Sequence, residues 1–92
     1  MDKRKERVAQ AIREKIGEFI IREINSNDLL SVTRVELTGD LREARVYISS
    51  LINEKECLEG LKKAKPSVRA YLAKEINLRY TPDLSFFIEE DE

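Results

Sequence analysis

The chain has 92 residues, of which 41% are hydrophobic and 38% are charged, and this length allows one modest hydrophobic core. We therefore predict a single domain that spans residues 1–92. The formal net charge is −1, but the charge is unevenly distributed. Residues 61–79 hold six basic residues and one acidic residue, whereas residues 80–92 hold five acidic residues and no basic one. Such asymmetry indicates a charged partner that the net charge alone would not suggest.

Several classes of protein are excluded by what the sequence lacks. Its apolar runs are only a few residues long, whereas a membrane-spanning helix needs about 20. The basic N-terminus leads into an amphipathic stretch, unlike a signal peptide, and the single cysteine, Cys57, cannot form an internal disulfide, so we expect a cytoplasmic protein. There is no histidine, no glycine-rich phosphate loop and no nucleophile elbow. We therefore expect no catalysis, no cofactor and no metal.

The first predicted element is a helix over residues 4–24. Apolar residues recur there at spacings of three and four, which places them on one helix face. They are Val8, Ile12, Ile16, Phe19, Ile20 and Ile24. Gly17 costs about 1 kcal/mol relative to alanine in a helix, which makes it a candidate site of close packing. The polar run at residues 25–28 is typical of a helix end.

A β-hairpin is predicted next. Residues 32–37 alternate, with Thr33, Val35 and Leu37 expected on one face, and residues 38–40 supply turn chemistry. Residues 44–49 alternate in the same way, with apolar side chains at every second position. Two alternating runs around a short turn predict an antiparallel pair with one buried face.

Two consecutive helices are predicted over about residues 54–64 and 66–77. Asn53 and Glu56 form a near capping box at the start of the first one. Pro66 interrupts the helical pattern because it lacks an N–H group and disfavours helical geometry at the preceding residue. It is nevertheless well placed in the first turn of a new helix. We therefore expect the two helices to meet at a kink.

The last predicted element is a strand in which Leu84, Phe86 and Ile88 share one face, followed by an acidic end. The order of elements is helix, strand, strand, helix, helix, strand. A crossover through two helices predicts that the third strand runs parallel to one strand of the hairpin. The fold class is therefore α+β, with a three-stranded mixed sheet and helices packed on one face. This is the element order of a type II KH-like fold (α-β-β-α-kink-α-β).

Three segments of the sequence resemble the bacterial ribosome-binding factor A family. The most recognisable is the hairpin at residues 32–49, with an Asp-Leu pair in its turn and a Val-Tyr-x-Ser second strand. Residues 7–13 resemble that family's opening, and residues 78–86 resemble its close. The resemblance covers nearly the whole chain. It implies a monomeric assembly factor that binds the small (30S) ribosomal subunit and 16S ribosomal RNA during late maturation and rRNA processing, with a role in cold adaptation and no small-molecule substrate.

In that family an interhelical kink with an Ala-x-Gly pattern replaces the Gly-x-x-Gly loop of ordinary KH domains. The matching residues here are Ala64, Lys65 and Pro66, so proline stands in place of glycine. KH domains clamp single-stranded nucleotides near this turn. The candidate RNA-binding residues are Lys62, Lys63, Lys65 and Arg69 at the kink, Arg79, Arg42 and Arg45 as an extension of the basic face, and Lys3, Arg4 and Lys5 as a basic N-terminal arm.

The aromatic residues are further candidates, because aromatic rings can stack on bases. They are Tyr47, Tyr71, Tyr80, Phe86 and Phe87. Tyr71 and Phe86 lie on apolar stripes, which favours core packing. Tyr47 and Phe87 are expected on the sheet face opposite the helices, where they form an apolar patch for RNA or protein.

Alternatives remain open from the sequence alone. The lysines at the kink can equally be a solvated helix face, and Arg45 can equally form a cross-strand ion pair. The basic N-terminal arm is more often solvated than specific. The alternative functions are a protein-interaction module and a KH-like domain that binds other RNA.

Overall fold

The computed structural model describes residues 3–24 and 30–90. The chain forms helix α1 (Lys3–Phe19), which continues into one turn of π-helix (Ile20–Ile24), and then strand β1 (Ser31–Leu37), strand β2 (Glu43–Ser49), helix α2 (Glu54–Lys63), helix α3 (Lys65–Glu75) and strand β3 (Asp83–Ile88). All of these elements lie within two residues of their predicted bounds. The predicted helix end at residues 25–28 and the acidic residues 91–92 lie outside the described residues. No helix in the described ranges is long and apolar enough to cross a membrane.

Strand β2 lies at the centre of the sheet, in the order β1-β2-β3. It pairs antiparallel with β1, where Arg45 lies opposite Glu36. It pairs parallel with β3, where Glu43 is aligned with Asp83 at the start of both strands. The predicted mixed sheet and the type II KH-like order are therefore confirmed.

A β-bulge interrupts the first strand. The register shifts between Val32 and Arg34, so Thr33 is an extra residue on this strand. Its hydroxyl donates to the backbone carbonyl of Tyr47 (3.1 Å) and lies 3.4 Å from the carboxylate of Glu89. The prediction that Thr33 faces the core is wrong, because the bulge shifts the alternation by one residue and Val32 takes the buried position.

The core lies between the sheet and the helices, and every element contributes to it. The buried hydrophobic residues are Ile12, Ile16, Phe19 and Ile20 from the first helical segment, Val32 and Leu37 from β1, Ala44, Val46 and Ile48 from β2, Cys57 and Leu61 from α2, Val68 and Leu72 from α3, and Leu84 and Phe86 from β3. The apolar face predicted for α1 is confirmed, since its remaining members Val8 and Ile24 pack against this cluster. Gly17 is not a site of close packing, because a Cβ atom there would meet no atom within 4 Å.

The start of α2 differs from the predicted capping box. Asn53 has a left-handed backbone (φ 56°, ψ 47°), and its side chain makes no capping hydrogen bond. A side-chain cap requires an extended backbone at this position, so the near capping box is wrong. The first helical bond is instead made by the backbone carbonyl of Asn53, which accepts from the N–H of Cys57 (3.0 Å).

Candidate nucleic-acid interface

A single residue, Ala64, separates the two helices at the predicted kink. It has φ −83° and ψ 0°, and its N–H donates to the carbonyl of Gly60 (3.0 Å) as the last bond of α2. Pro66 lies in the first turn of α3, where a backbone N–H would have no helical partner. Ala64, Lys65 and Pro66 therefore lie where the two helices meet, and proline is accommodated there without loss of a helical bond.

A groove of about 580 Å³ runs between this kink and strand β3. We call it the kink groove. Its lining residues are Leu58, Lys62 and Lys65 from the helices and Ser85, Phe86, Phe87, Ile88 and Glu90 from the β3 segment. In the part of the chain that the structure describes, β3 pairs with β2 alone, so its outer edge has no strand partner. The groove thus combines two lysines, the carboxylate of Glu90, apolar side chains and the edge of a strand.

The lysines of the kink segment differ in their surroundings. Lys62 is exposed, and its ammonium lies 3.9 Å from the carboxylate of Glu59 on the preceding helical turn. An exposed ion pair of this kind contributes little to stability, so Lys62 can readily leave Glu59 for another anion. Lys65 is half-buried, whereas Lys63 is exposed and is not among the groove-lining residues. The structure therefore brings Lys62 and Lys65 together in the groove and leaves Lys63 beside it.

Arg69 is placed differently from the other predicted bases. Its Nε donates to the backbone carbonyl of Pro82 (3.1 Å), and its Nη2 donates to the carbonyl of Thr81 (3.0 Å). Both carbonyls belong to the segment that leads into β3. The guanidinium therefore fastens α3 to this segment, and two of its donors are already engaged within the protein.

A second basic surface lies at the start of β3. Here a cavity of about 260 Å³ is bordered by Arg4 from α1, by the hairpin turn and by Arg79 and Tyr80. We call it the turn pocket. Its lining residues are Arg4, Val8, Gly39, Asp40, Leu41, Leu78, Arg79, Tyr80 and Pro82. Arg42 lies nearby, with its guanidinium carbon 5.7 Å from the centre of the Tyr80 ring. The predicted basic face is therefore two surfaces, the turn pocket at the start of β3 and the kink groove along its second half.

The N-terminal bases are not an extended arm. Lys3, Arg4 and Lys5 form the first turn of α1. Lys5 borders a shallow depression that also contains Arg45 and residues 36–38 of the hairpin. The prediction of an arm is therefore wrong, because the helical pattern continues to the first described residue.

The sheet face opposite the helices carries a network of paired side chains. The Tyr47 and Phe87 rings are stacked with centroids 5.5 Å apart, as predicted for this face. The guanidinium of Arg34 lies 3.9 Å from the Tyr47 ring centre and pairs with the carboxylate of Glu89 (2.8 Å). That hydrogen bond lowers the pKa of Glu89 below its ordinary value. Arg34 also pairs with Glu36. Its charge is thus shared between two carboxylates.

Arg45 takes part in the same network. Its guanidinium lies 4.0 Å from Glu36, the residue directly opposite on β1. The cross-strand ion pair, which was one of the two alternatives for Arg45, therefore forms, although its distance is at the upper limit for an ion pair. Arg45 remains largely exposed.

Two of the five candidate aromatic residues are engaged in the protein interior, as predicted. Phe86 is buried in the core. Tyr71 packs edge-on against Phe19, with ring centroids 5.7 Å apart, and its hydroxyl donates to Glu18 (3.2 Å). The same carboxylate accepts a hydrogen bond from Lys15, which lowers the pKa of Glu18. Neither ring is therefore placed to stack on a base.

Comparison with known proteins gives consistent results. A family model described as Ribosome-binding factor A matches residues 4–92. The chain is 39% identical to Ribosome-binding factor A of Macrococcus caseolyticus over 98% of this chain and 83% of that protein. Its structure is similar to the crystal structure of ribosome-binding factor A from Thermus thermophilus, with a TM-score of 0.83 and 26% identity over 91% of this chain and 93% of that one.

A further similar structure is a homology model of the Thermus thermophilus factor, fitted into the cryo-EM map of its complex with the 30S subunit. The TM-score is 0.76 and the identity 26%, over 86% of this chain and 88% of that one.

Proposed function

The chain belongs to the ribosome-binding factor A family, and from this membership we propose that it binds the small ribosomal subunit and its 16S ribosomal RNA during late maturation. The observation that carries the proposal is the likeness of this chain to a family member fitted into the map of a 30S complex. Such binding occurs where ribosomes assemble, so the protein acts in the cytoplasm. It acts as a monomer and as a binding factor, without catalysis or a cofactor.

The kink groove is the proposed site of closest RNA contact. Lys62 and Lys65 face the same groove as the outer edge of β3, so a single strand lying there meets both ammonium groups and backbone polar groups. Each phosphate neutralised by a lysine releases condensed counterions, which makes binding depend on salt. Pro66 has no N–H to offer a phosphate, so the side chains must supply the contacts that a glycine backbone would give.

The other predicted bases have secondary parts in this proposal. Lys63 lies beside the groove, and Arg42, Arg45, Arg79, Lys3, Arg4 and Lys5 raise the positive potential along the sheet and the turn pocket. At the kink groove their contribution is long-range attraction of RNA, which salt screens. Arg69 acts indirectly, by holding the segment between the two surfaces through its bonds to Thr81 and Pro82.

Co-sedimentation with free small subunits and with complete ribosomes, over a series of salt concentrations, tests the function. We expect the protein to sediment with free small subunits at low salt and to be released as salt rises. The double variant Lys62→Glu/Lys65→Glu should bind more weakly. For this variant, a plot of log affinity against log salt concentration should have a slope that is shallower by about 1.4, as expected for two lost contacts to single-stranded RNA.

The matched control is Lys55→Glu/Lys74→Glu, which makes the same change in net charge at exposed positions outside the kink groove. If both double variants weakened binding to small subunits equally, the loss would be a general effect of charge and not of the kink groove. Absence of binding to small subunits by the unchanged protein would contradict the function itself and would favour a protein-interaction module.

A further inference from the structure

Tyr80 is the most accessible tyrosine in the described part of the chain. It is 61% exposed. Tyr47, by contrast, is covered by a guanidinium at 3.9 Å and by the stacked Phe87 ring, and Tyr71 is engaged with α1. The guanidinium carbons of Arg42 and Arg79 lie 5.7 and 5.9 Å from the Tyr80 centroid. This is close enough for cation–π attraction but looser than the contact at Tyr47.

The hairpin turn beside this ring is stabilised by packing and by hydrogen bonds. Leu41 has a left-handed backbone (φ 62°), and its side chain packs against the core. Asp40 Oδ1 accepts hydrogen bonds from the Thr38 hydroxyl (2.7 Å) and from the N–H of Arg42 (3.1 Å). These bonds lower the pKa of Asp40, which is therefore ionised at neutral pH. The turn pocket thus places an oriented carboxylate near an exposed aromatic ring and cationic side chains.

We propose that the turn pocket binds one unpaired nucleobase of an RNA strand, stacked on Tyr80, with Arg42 and Arg79 at the neighbouring phosphates. The proposal rests on the RNA-binding function given above, because the strand is the ligand there as well. Exposed aromatic rings and guanidinium planes are the groups on which unstacked RNA bases are held. The cavity of about 260 Å³ is smaller than the roughly 300–1,000 Å³ typical of drug-sized ligands, which suits a single planar group.

Asp40 gives the pocket a preference among bases. An ionised carboxylate only accepts hydrogen bonds, so it favours a base whose edge carries an exocyclic amino group, as adenine, cytosine and guanine do. Uracil has no amino group, and the carbonyl oxygens that flank its N–H repel a carboxylate. The site therefore discriminates against uracil while tolerating the other bases.

Solution NMR of the 92-residue chain tests the proposal directly. The sequence has only three tyrosines and no tryptophan, so their ring signals are few and can be assigned by single Tyr→Phe variants. We expect hexa-adenylate or hexa-cytidylate at low salt to shift the Tyr80 ring signals upfield. The Tyr71 signals should stay unchanged, and hexa-uridylate should shift Tyr80 much less. Unshifted Tyr80 signals at saturating RNA, with shifts confined to the kink groove, would overturn the proposal.

Variants separate stacking and edge recognition from the general attraction of RNA. Tyr80→Ala should weaken hexa-adenylate binding by roughly 5- to 150-fold, the range for one lost base–aromatic stack, whereas Tyr80→Phe should bind like the unchanged chain. Asp40→Asn retains an oxygen to accept the bonds from Thr38 and Arg42, and it should abolish the discrimination against uracil. Equal affinities for the unchanged chain and Tyr80→Ala would contradict the site.

Co-sedimentation distinguishes this proposal from the proposed function. If Tyr80→Ala and the unchanged chain bind small subunits equally while Lys62→Glu/Lys65→Glu does not, the turn pocket is not an RNA site and the ribosomal function stands. If the unchanged chain binds the oligonucleotides at Tyr80 but not small subunits, the pocket stands and the ribosomal function fails.

Discussion

Replacing Arg69 by alanine tests whether this residue is structural. In the folded chain its guanidinium donates to Thr81 and Pro82 at 3.0 and 3.1 Å. Pro82 is fully buried, so its carbonyl would lose a partner that water cannot easily replace, whereas the half-buried Thr81 can be rehydrated. Counting about 1.5–3 kcal/mol for the first bond and about 0.5–1 kcal/mol for the second, we expect Arg69→Ala to lower the free energy of unfolding by about 2–4 kcal/mol.

Urea denaturation followed by circular dichroism measures this loss. The control Arg79→Ala removes the same charge from an exposed position and should stay within about 0.5 kcal/mol of the unchanged chain. Arg69→Lys keeps the charge but cannot reproduce the two-pronged bond, so its stability should lie between those of the unchanged chain and Arg69→Ala. Equal stability of Arg69→Ala and Arg79→Ala would refute the structural role and return Arg69 to the set of RNA contacts.

Two further predictions concern the helices and the outer sheet face. Gly17→Ala and Gly60→Ala should each stabilise the protein by about 0.5–1 kcal/mol in urea denaturation, because both glycines are helical and an added Cβ meets no atom within 4 Å; a loss of stability would contradict this packing. Glu89 has a folded pKa below its ordinary value of 4.5, so its contribution to stability is fully present above that pH and is lost as pH falls through the folded pKa. Glu89→Gln should therefore lower the free energy of unfolding at neutral pH, and this free energy should fall less steeply below about pH 4.5 than in the unchanged chain. Urea denaturation at several pH values measures both effects. An unchanged pH dependence would contradict the pairing of Glu89 with Arg34.

The elements could be predicted because each has one dominant periodicity. The apolar face of α1 repeats every three or four residues, and the hairpin strands alternate, so the buried faces follow from the pattern. The bulge was missed because Thr33, Val35 and Leu37 also form a regular alternation. Packing of both Val32 and Val35 against the core requires an extra residue between them, and their spacing of three was the signal available in the sequence.

The division of the basic residues into separate surfaces was harder to predict from the sequence than the helices and strands were. Arg69 and Arg79 have the same charge, and only the folded chain shows that the first is bound to carbonyls 12 and 13 residues further along. Tyr80 was one of five aromatic candidates, and nothing in its neighbours distinguishes it. The sequence predicts that the third strand runs parallel to one strand of the hairpin. The structure shows that this strand is β2, and the pairing brings the hairpin turn next to the segment before β3. It was therefore the available signal for the contact between Arg42 and Tyr80.

Arg69 also sets the geometry between the two basic surfaces. Strand β3 has six residues, which span about 16 Å, and the turn pocket lies at its start while the kink groove lines its second half. Helix α3 begins at the kink, and Arg69 on its second turn fastens the segment that follows Tyr80. An RNA strand bound at both proposed sites would meet them at a separation maintained by β3 and by these two hydrogen bonds. Loss of the bonds would leave the charges of both surfaces intact while loosening their spacing. The spacing of charge within a nearly neutral chain therefore depends on a cation whose guanidinium is bound to the protein's own carbonyls.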